Sequence, residues 1–150
     1  MNILCLCIGN KDRSPIVAAF LRQMLANKGL DINQFIIDTA GVNITAREGK
    51  PAPELAVKAA KIFGLDISKH RQRYIGDIGS LEFYKLAIVA DFITQVELMR
   101  LGFSGEVINL NLEGRNNAWM SQDPRKVDDM VLSIMTAVAR DVIQYKCREE

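Results

Sequence analysis

The chain has 150 residues, of which 49% are hydrophobic and 25% charged, and its formal net charge at pH 7 is +1. This length and composition predict one globular domain, 1–150, with a buried core. The near-neutral charge argues against binding to nucleic acid or to an anionic membrane, and no apolar run reaches the ~20 residues of a membrane span. Three cysteines and one histidine are too few for a disulfide framework or a zinc cluster. We therefore expect no metal, no cofactor and a cytoplasmic location.

Apolar runs alternate with helical spacing along the chain. Residues 2–7 predict a buried strand, and residues 15–28 predict a helix that ends before Gly29. Further strands are predicted at 34–38, 85–90 and 106–110, and further helices at 54–63, near 75–81, at 92–100 and at 127–146. This order predicts a doubly wound α/β domain, with a central four-stranded parallel sheet and helices on both faces. In such folds a ligand binds beyond the carboxyl ends of the strands.

The segment between the first strand and the first helix carries the clearest chemical signal. It consists of Cys7, Ile8, Gly9, Asn10, Lys11, Asp12, Arg13 and Ser14. A short loop before a helix directs its backbone N–H groups toward one point, where they bind phosphate and stabilise a thiolate. Arg13 adds a planar cation that can hold two phosphate oxygens. We predict that residues 7–14 form a phosphate loop, with Cys7 as nucleophile and the residues after it binding phosphate.

Several residue types in the phosphate loop suit this role. Gly9 and Asn10 tolerate the positive φ that a tight turn requires. Ser14 is a suitable N-cap before Pro15, and its hydroxyl can donate to the Cys7 sulfur. A β–α turn with an incidental buried cysteine is the simpler alternative, but the combination of residues favours the phosphate loop.

These residues, together with Pro15, resemble the signature loop of the low-molecular-weight protein tyrosine phosphatases, and the similarity runs through the whole chain. The resemblance implies that Cys7 forms a phosphocysteine, that Arg13 clamps the phosphate and that Asp123 protonates the leaving group. Water would then release inorganic phosphate. From these two residues alone, Asp123 before Pro124 is more typical of a helix cap, and one residue can do both. Asp128 and Asp129 are the alternative acids.

The resemblance also implies that Thr39 and His70 support the loop by hydrogen bonds to Asn10 and Ser14. Two features depart from the family pattern. Asp12 replaces the second cysteine that usually precedes the arginine, and it would disfavour a thiolate and repel a phosphate dianion. Aromatic residues are missing after Asp123-Pro124 and from residues 43–50, with Trp119 as the one substitute.

The sequence thus favours a phosphatase acting on a phosphorylated protein or a small aryl phosphate. Ile8 after the nucleophile resembles the tyrosine-type members of the family, and this resemblance implies the aryl class. A non-catalytic phosphate- or phosphoprotein-binding module is the main alternative. Arsenate reductase is a weaker one, because it requires two further cysteines and only Cys147 is available for that relay.

Overall fold

The computed structural model describes residues 1–112 and 123–143. Four parallel strands form one sheet in the order β2-β1-β3-β4, with β1 at Asn2–Cys7, β2 at Ile36–Gly41, β3 at Leu86–Val89 and β4 at Glu106–Asn109. The helices are α1 at Arg13–Asn27, α2 at Glu54–Ile62, α3 at Phe92–Arg100 and α4 at Pro124–Val138, and α4 continues as a π-helical turn at Ala139–Ile143. Short 3-10 turns occur at Ile32–Gln34, Ile44–Glu48, Ile75–Asp77 and Leu81–Phe83.

The side chains of β1 alternate between two hydrophobic cores, which places helices on both faces of the sheet. Ile3, Cys5 and Cys7 pack in the larger core with α1, α2 and α4. Leu4 and Leu6 pack in the smaller core, which contains Leu98 of α3. A strand that is buried on both faces reads as a continuous apolar run, which is why β1 was predictable. The predicted doubly wound α/β fold with a four-stranded parallel sheet is confirmed.

Some element boundaries differ from the predicted ones. β2 extends to Gly41, because its last residues pair with β1 up to Cys7 although Asp38 and Thr39 are polar. The predicted helix near 75–81 is two separate 3-10 turns. α4 begins at Pro124, three residues earlier than predicted, because Asp123 caps it. Trp119, Cys147 and the predicted end of α4 at 144–146 lie outside the described residues.

Within the described ranges, no helix combines the length and the apolar character needed to cross a membrane. In the same residues, no group of three or more His, Cys, Asp or Glu side chains is placed to hold a metal ion. That residues 1–150 form a single domain remains a prediction.

Candidate active site

The phosphate loop joins the carboxyl end of β1 to the first turn of α1. The chain that leaves β2 runs beside it, since Val42 N–H donates to the Cys7 carbonyl (3.1 Å) and Asn43 N–H donates to the Ile8 carbonyl (3.0 Å). Gly41 permits this close approach, because a Cβ at that position would lie 2.8 Å from the Ile8 oxygen. The loop therefore lies at the sheet edge where parallel α/β folds bind ligands.

Cys7 is buried, and polar groups surround its sulfur. Asn10 N–H donates to Sγ at 3.2 Å, and the Ser14 hydroxyl lies 3.1 Å from Sγ. Asn10 Nδ2 donates to Ser14 Oγ at 2.7 Å, and once Cys7 is a thiolate the Ser14 hydroxyl is the donor to the sulfur. The predicted contact between Ser14 and Cys7 is confirmed, and both donors would stabilise a thiolate.

Asn10 adopts the left-handed conformation predicted for it, with φ of 55°. Its Oδ1 accepts a hydrogen bond from Arg73 N–H at 2.7 Å, and its backbone carbonyl lies 2.6 Å from His70 Nε2. Burial lowers the pKa of His70, partly opposed by this hydrogen bond, so the ring is neutral at pH 7 and Nε2–H donates to the carbonyl. Gln72 Nε2 donates to the Gly9 carbonyl at 2.7 Å. Residues 70–73 therefore hold the outer side of the loop.

Two predicted supporting contacts differ in the structure. Among the described residues, the side chain of Asn10 is bonded by Ser14 and Arg73 and not by Thr39. Thr39 pairs with Cys5, two residues before the end of β1, and therefore lies inside the sheet rather than at the loop. The N-cap of α1 is Asp12 rather than Ser14, because the helix begins at Arg13 and the Ser14 hydroxyl is engaged by Cys7 and Asn10.

Arg13 is fixed by a buried ion pair with Asp91, which lies two residues after the end of β3. Its Nη1 donates to Asp91 Oδ2 at 2.9 Å, and the two side chains are only 6% and 1% exposed. Burial acts to raise the pKa of Asp91, but hydrogen bonds from Thr94 and Arg13 and the charge of Arg13 bring the pKa below its ordinary value. An ionised Asp91 therefore holds the guanidinium of Arg13 in one orientation.

Asp12 is 3% exposed and lies in the same loop. Its Oδ1 accepts the Arg13 N–H at 2.8 Å. Its Oδ2 is buried and has no hydrogen-bond partner within residues 1–112 and 123–143. Burial raises the pKa of Asp12 to about 6, although hydrogen bonds from Arg13 N–H and from its own N–H, and the charges of Arg13 and Lys11, act in the opposite direction.

Asp123 is the N-cap of α4, and its Oδ1 accepts the Arg125 N–H at 3.0 Å. The side chain is 34% exposed and therefore accessible to a ligand. The cap that its sequence context predicted is confirmed, and its role as an acid remains a prediction.

Sequence analysis missed three residues of this site: Asp91, Gln72 and Arg73. Asp91 had a detectable signal, because it follows a predicted buried strand and so lies at the carboxyl edge beside β1. Gln72 and Arg73 donate hydrogen bonds to residues 63 positions earlier in the chain, and local sequence patterns do not predict such contacts. Phe92 and Ile93, which follow Asp91 in the first turn of α3, are 64% and 58% exposed.

Comparison with known proteins places these observations in a family. The model of the family described as low molecular weight phosphotyrosine protein phosphatase matches residues 2–96, which contain every site residue described above except Asp123. Two curated relatives, from Ralstonia nicotianae and Ralstonia solanacearum, carry the name probable low molecular weight protein-tyrosine-phosphatase EpsP. Each is 37% identical over 74 residues, which are 49% of this chain and 45% of the relative. The match thus spans less than half of their length.

Solved structures share the fold across most of the chain. Wzb of Vibrio vulnificus in complex with benzylphosphonate superposes with a TM-score of 0.73 and 20% identity, covering 93% of this chain and 94% of that one. The low molecular weight protein tyrosine phosphatase of T. tengcongensis gives a TM-score of 0.75 at 21% identity, covering 93% and 95%. At such identities these structures show the fold alone. The family model matches well over half of the residues, and the chain therefore belongs to the low molecular weight phosphotyrosine protein phosphatase family.

Proposed function

We propose that this protein is a cysteine-dependent phosphomonoester hydrolase that acts on aryl phosphates, including phosphotyrosine in proteins. The observation that carries the proposal is the surroundings of Cys7. Its sulfur lies within hydrogen-bond distance of Asn10 N–H and the Ser14 hydroxyl, in a loop that also contains the anchored Arg13. A nucleophile, its stabilising donors and a phosphate-binding cation thus converge at one helix N-terminus.

The proposed reaction has two steps. The Cys7 thiolate attacks phosphorus in line, and an S–P bond forms as the bond to the leaving oxygen breaks. Asp123 gives its proton to that oxygen. Water then attacks the phosphorus of the phosphocysteine while Asp123 takes a proton from that water. Cys7 leaves as a thiolate, and inorganic phosphate is the product. Loop amides and Arg13 stabilise the charge on the other phosphate oxygens in both steps.

The assignment of Asp123 as general acid rests on topology and family resemblance. α4 follows β4 in the chain, and a helix that follows a strand of a parallel sheet starts at the carboxyl edge, where Cys7 lies. The cap geometry is compatible with this role, because the Asp123 side chain, which accepts the Arg125 N–H through Oδ1, remains 34% exposed.

An aryl substrate is supported by an exposed aromatic residue that directly follows Asp91 in the chain. Phe92 follows Asp91, whose side chain binds Arg13, and 64% of Phe92 is exposed. The ring offers an apolar wall in place of the aromatic residues missing elsewhere. If so, Phe92→Ala raises KM for naphthyl phosphate several-fold and leaves KM for an alkyl phosphate unchanged; equal effects on both would remove Phe92 from substrate binding. Because Cys7 must remain a free thiol, we further propose that the protein works in the reducing cytoplasm.

Turnover tests the proposed function directly. Hydrolysis of para-nitrophenyl phosphate at pH 5–6 is compared for the unmodified chain, Cys7→Ser, Asp123→Ala and the control Cys5→Ala. We expect no turnover for Cys7→Ser, a loss of about 10²–10⁴-fold for Asp123→Ala and near-normal turnover for the control. Retained turnover in Cys7→Ser would refute the nucleophile.

One observation favours a second candidate, a phosphate- or phosphoprotein-binding module without turnover. The buried Asp12 places a carboxyl group where the family usually has a cysteine, and a negative charge there opposes both the thiolate and the substrate dianion. An unmodified chain that binds phenyl phosphate without hydrolysing it would support this candidate over the hydrolase.

A further inference from the structure

One carboxyl oxygen of Asp12 has fewer hydrogen-bond partners than its burial requires. The residue is 3% exposed, Oδ1 accepts the Arg13 N–H, and Oδ2 lacks a hydrogen-bond partner in the described part of the chain. Burying a carboxyl oxygen without a partner is costly, so an oxygen of this kind in a native fold calls for an explanation. A proton on the carboxyl group, or a ligand that brings a donor, would satisfy it.

The position of Asp12 points to a ligand of the phosphate loop. Arg13 is the first residue of α1, and N–H groups at a helix N-terminus are the donors that bind phosphate. The Asp12 carboxyl group accepts this N–H and also interacts with its own N–H. The side chain therefore competes with an incoming phosphate for backbone donors of the same loop.

The charges around Asp12 determine what happens when phosphate arrives. Lys11 and Arg13, from its own loop, favour the ionised carboxylate. The other ionisable groups assigned to the site are Cys7 at the end of β1, Asp91 at the start of α3, His70, and Asp123 at the start of α4. Arg13 is already paired with Asp91. A phosphate dianion would add two negative charges to a loop that already holds a buried carboxyl group.

We propose that Asp12 binds the phosphate group of the substrate through a shared proton. The occupied loop then contains one more proton than the empty loop and the free dianion taken together. Either the Asp12 carboxylic acid donates from Oδ2 to a phosphate oxygen, or a singly protonated phosphate donates to Oδ2. Both forms have the same composition: one proton enters from solvent and no other bond is made or broken. This inference rests on the proposed function, because it requires the phosphate loop to bind phosphate.

The proton count follows from the electrostatics of the empty and occupied loops. Burial already raises the pKa of Asp12 to about 6 in the empty loop. A bound dianion beside Asp12 raises this pKa further, so the occupied loop holds the shared proton at pH 7.5. At that pH the Asp12 carboxyl group of the empty loop is ionised, and a free phosphate monoester, whose second pKa is near 6, is a dianion. By linkage, affinity then falls about tenfold for each pH unit between 7 and 8.5.

Calorimetry of phenyl phosphate binding tests the proposal without turnover. The Cys7→Ser variant removes the nucleophile, and calorimetric titrations at pH 7.5 in two buffers with different ionisation enthalpies give the number of protons taken up. We expect uptake of about one proton for Cys7→Ser and of close to none for the Cys7→Ser/Asp12→Asn double variant. The amide introduced by Asp12→Asn can donate a hydrogen bond to phosphate without first taking up a proton from solvent. The matched control is Asp66→Asn in the Cys7→Ser background, because Asp66 is an exposed carboxyl group outside the loop. This control should retain the proton uptake.

Each outcome decides between the two claims. Uptake near zero in Cys7→Ser, or equal uptake with and without Asp12, would overturn the proposal. Proton-linked binding in a chain that shows no turnover would keep this inference and refute the hydrolase. Turnover without proton-linked binding would keep the hydrolase and refute this inference. If no variant bound phenyl phosphate, both claims would be contradicted. The ratio kcat/KM checks the result with Cys7 intact: above pH 7 its decline per pH unit should be about tenfold shallower in Asp12→Asn than in the unmodified chain.

Discussion

Cys7, Asp12 and Arg13 share the short turn between β1 and α1, and each is buried. Arg13 has its counter-ion in Asp91, and Cys7 has hydrogen-bond donors in Asn10 and Ser14. Asp12 alone is left with an unpartnered oxygen in the described residues. At the scale of single residues, the loop is therefore well arranged for an anion and poorly arranged for its own carboxylate.

Asp12 is expected to lower stability at neutral pH. A pKa raised from 3.8 to about 6 corresponds to about 3 kcal/mol, since each pH unit is worth about 1.4 kcal/mol. The raised value means that stability is full below the unfolded pKa and is lost as pH rises through about 6. Asp12→Asn keeps a capping side chain. We predict that it raises the free energy of unfolding in urea by roughly 2–3 kcal/mol at pH 7.5 and by little at pH 4.

The control for this prediction is Asp31→Asn, which changes an exposed cap of a 3-10 turn. It should alter stability by less than about 0.5 kcal/mol at both pH values. Equal gains for the two variants, or a gain for Asp12→Asn that persists at pH 4, would contradict the account of Asp12.

Oxidation of Cys7 should be irreversible in this protein. The residue next to Arg13 is Asp12, so no neighbouring thiol is available there to trap a sulfenic acid as a disulfide before excess peroxide oxidises it to the irreversible sulfinic acid. Cys5 is a poor substitute, because burial raises its pKa to about 12 and keeps it a thiol. We predict that peroxide abolishes turnover and that dithiothreitol does not restore it. Asp12→Cys should become recoverable, and full recovery of the unmodified chain would refute the prediction.

At the scale of elements, the phosphate loop is held between two segments that are distant in sequence. The end of β2 lies beneath it at Gly41, and residues 70–73 hold its outer side through Gln72 and His70. Gln72 also ties this segment to Lys50, since its Oε1 accepts the Lys50 N–H at 3.0 Å. The loop conformation therefore depends on three stretches of chain rather than on its own sequence alone.

Gly41→Ala should displace the phosphate loop. The added Cβ would lie within 2.9 Å of Gly9 C and Ala46 Cβ and 2.8 Å from the Ile8 oxygen, so backbone must move. We expect a loss of about 1–3 kcal/mol in stability, as for other overpacked sites, together with a raised KM for para-nitrophenyl phosphate. Gly64→Ala is the control, because its φ of 80° makes alanine costly at a helix end outside the site. It should destabilise without changing KM, and an equal change in both variants would contradict the prediction.

At the scale of the whole molecule, the sequence predicts the sheet and the position of the loop well. Continuous apolar strands alternate with helices, and this pattern determines the fold class without knowledge of any contact. The motif at Cys7 then lies at the carboxyl edge by topology alone. The sequence predicts long-range partners poorly: Arg13 pairs with Asp91 78 residues away, and Arg73 rather than Thr39 binds Asn10. Such pairs depend on strand register and turn geometry, which local patterns do not contain.

The covalent role of Cys7 is the central claim, and trapping the intermediate tests it most directly. The chain is mixed with excess para-nitrophenyl phosphate at pH 5–6, quenched in acid within milliseconds to seconds, digested and analysed by mass spectrometry. The account predicts one added phosphoryl group on the peptide that contains Cys7, formed as nitrophenol is released and absent from Cys7→Ser. Turnover with no phosphorylated Cys7 peptide at any quench time, or a phosphoryl group on another residue, would contradict the account.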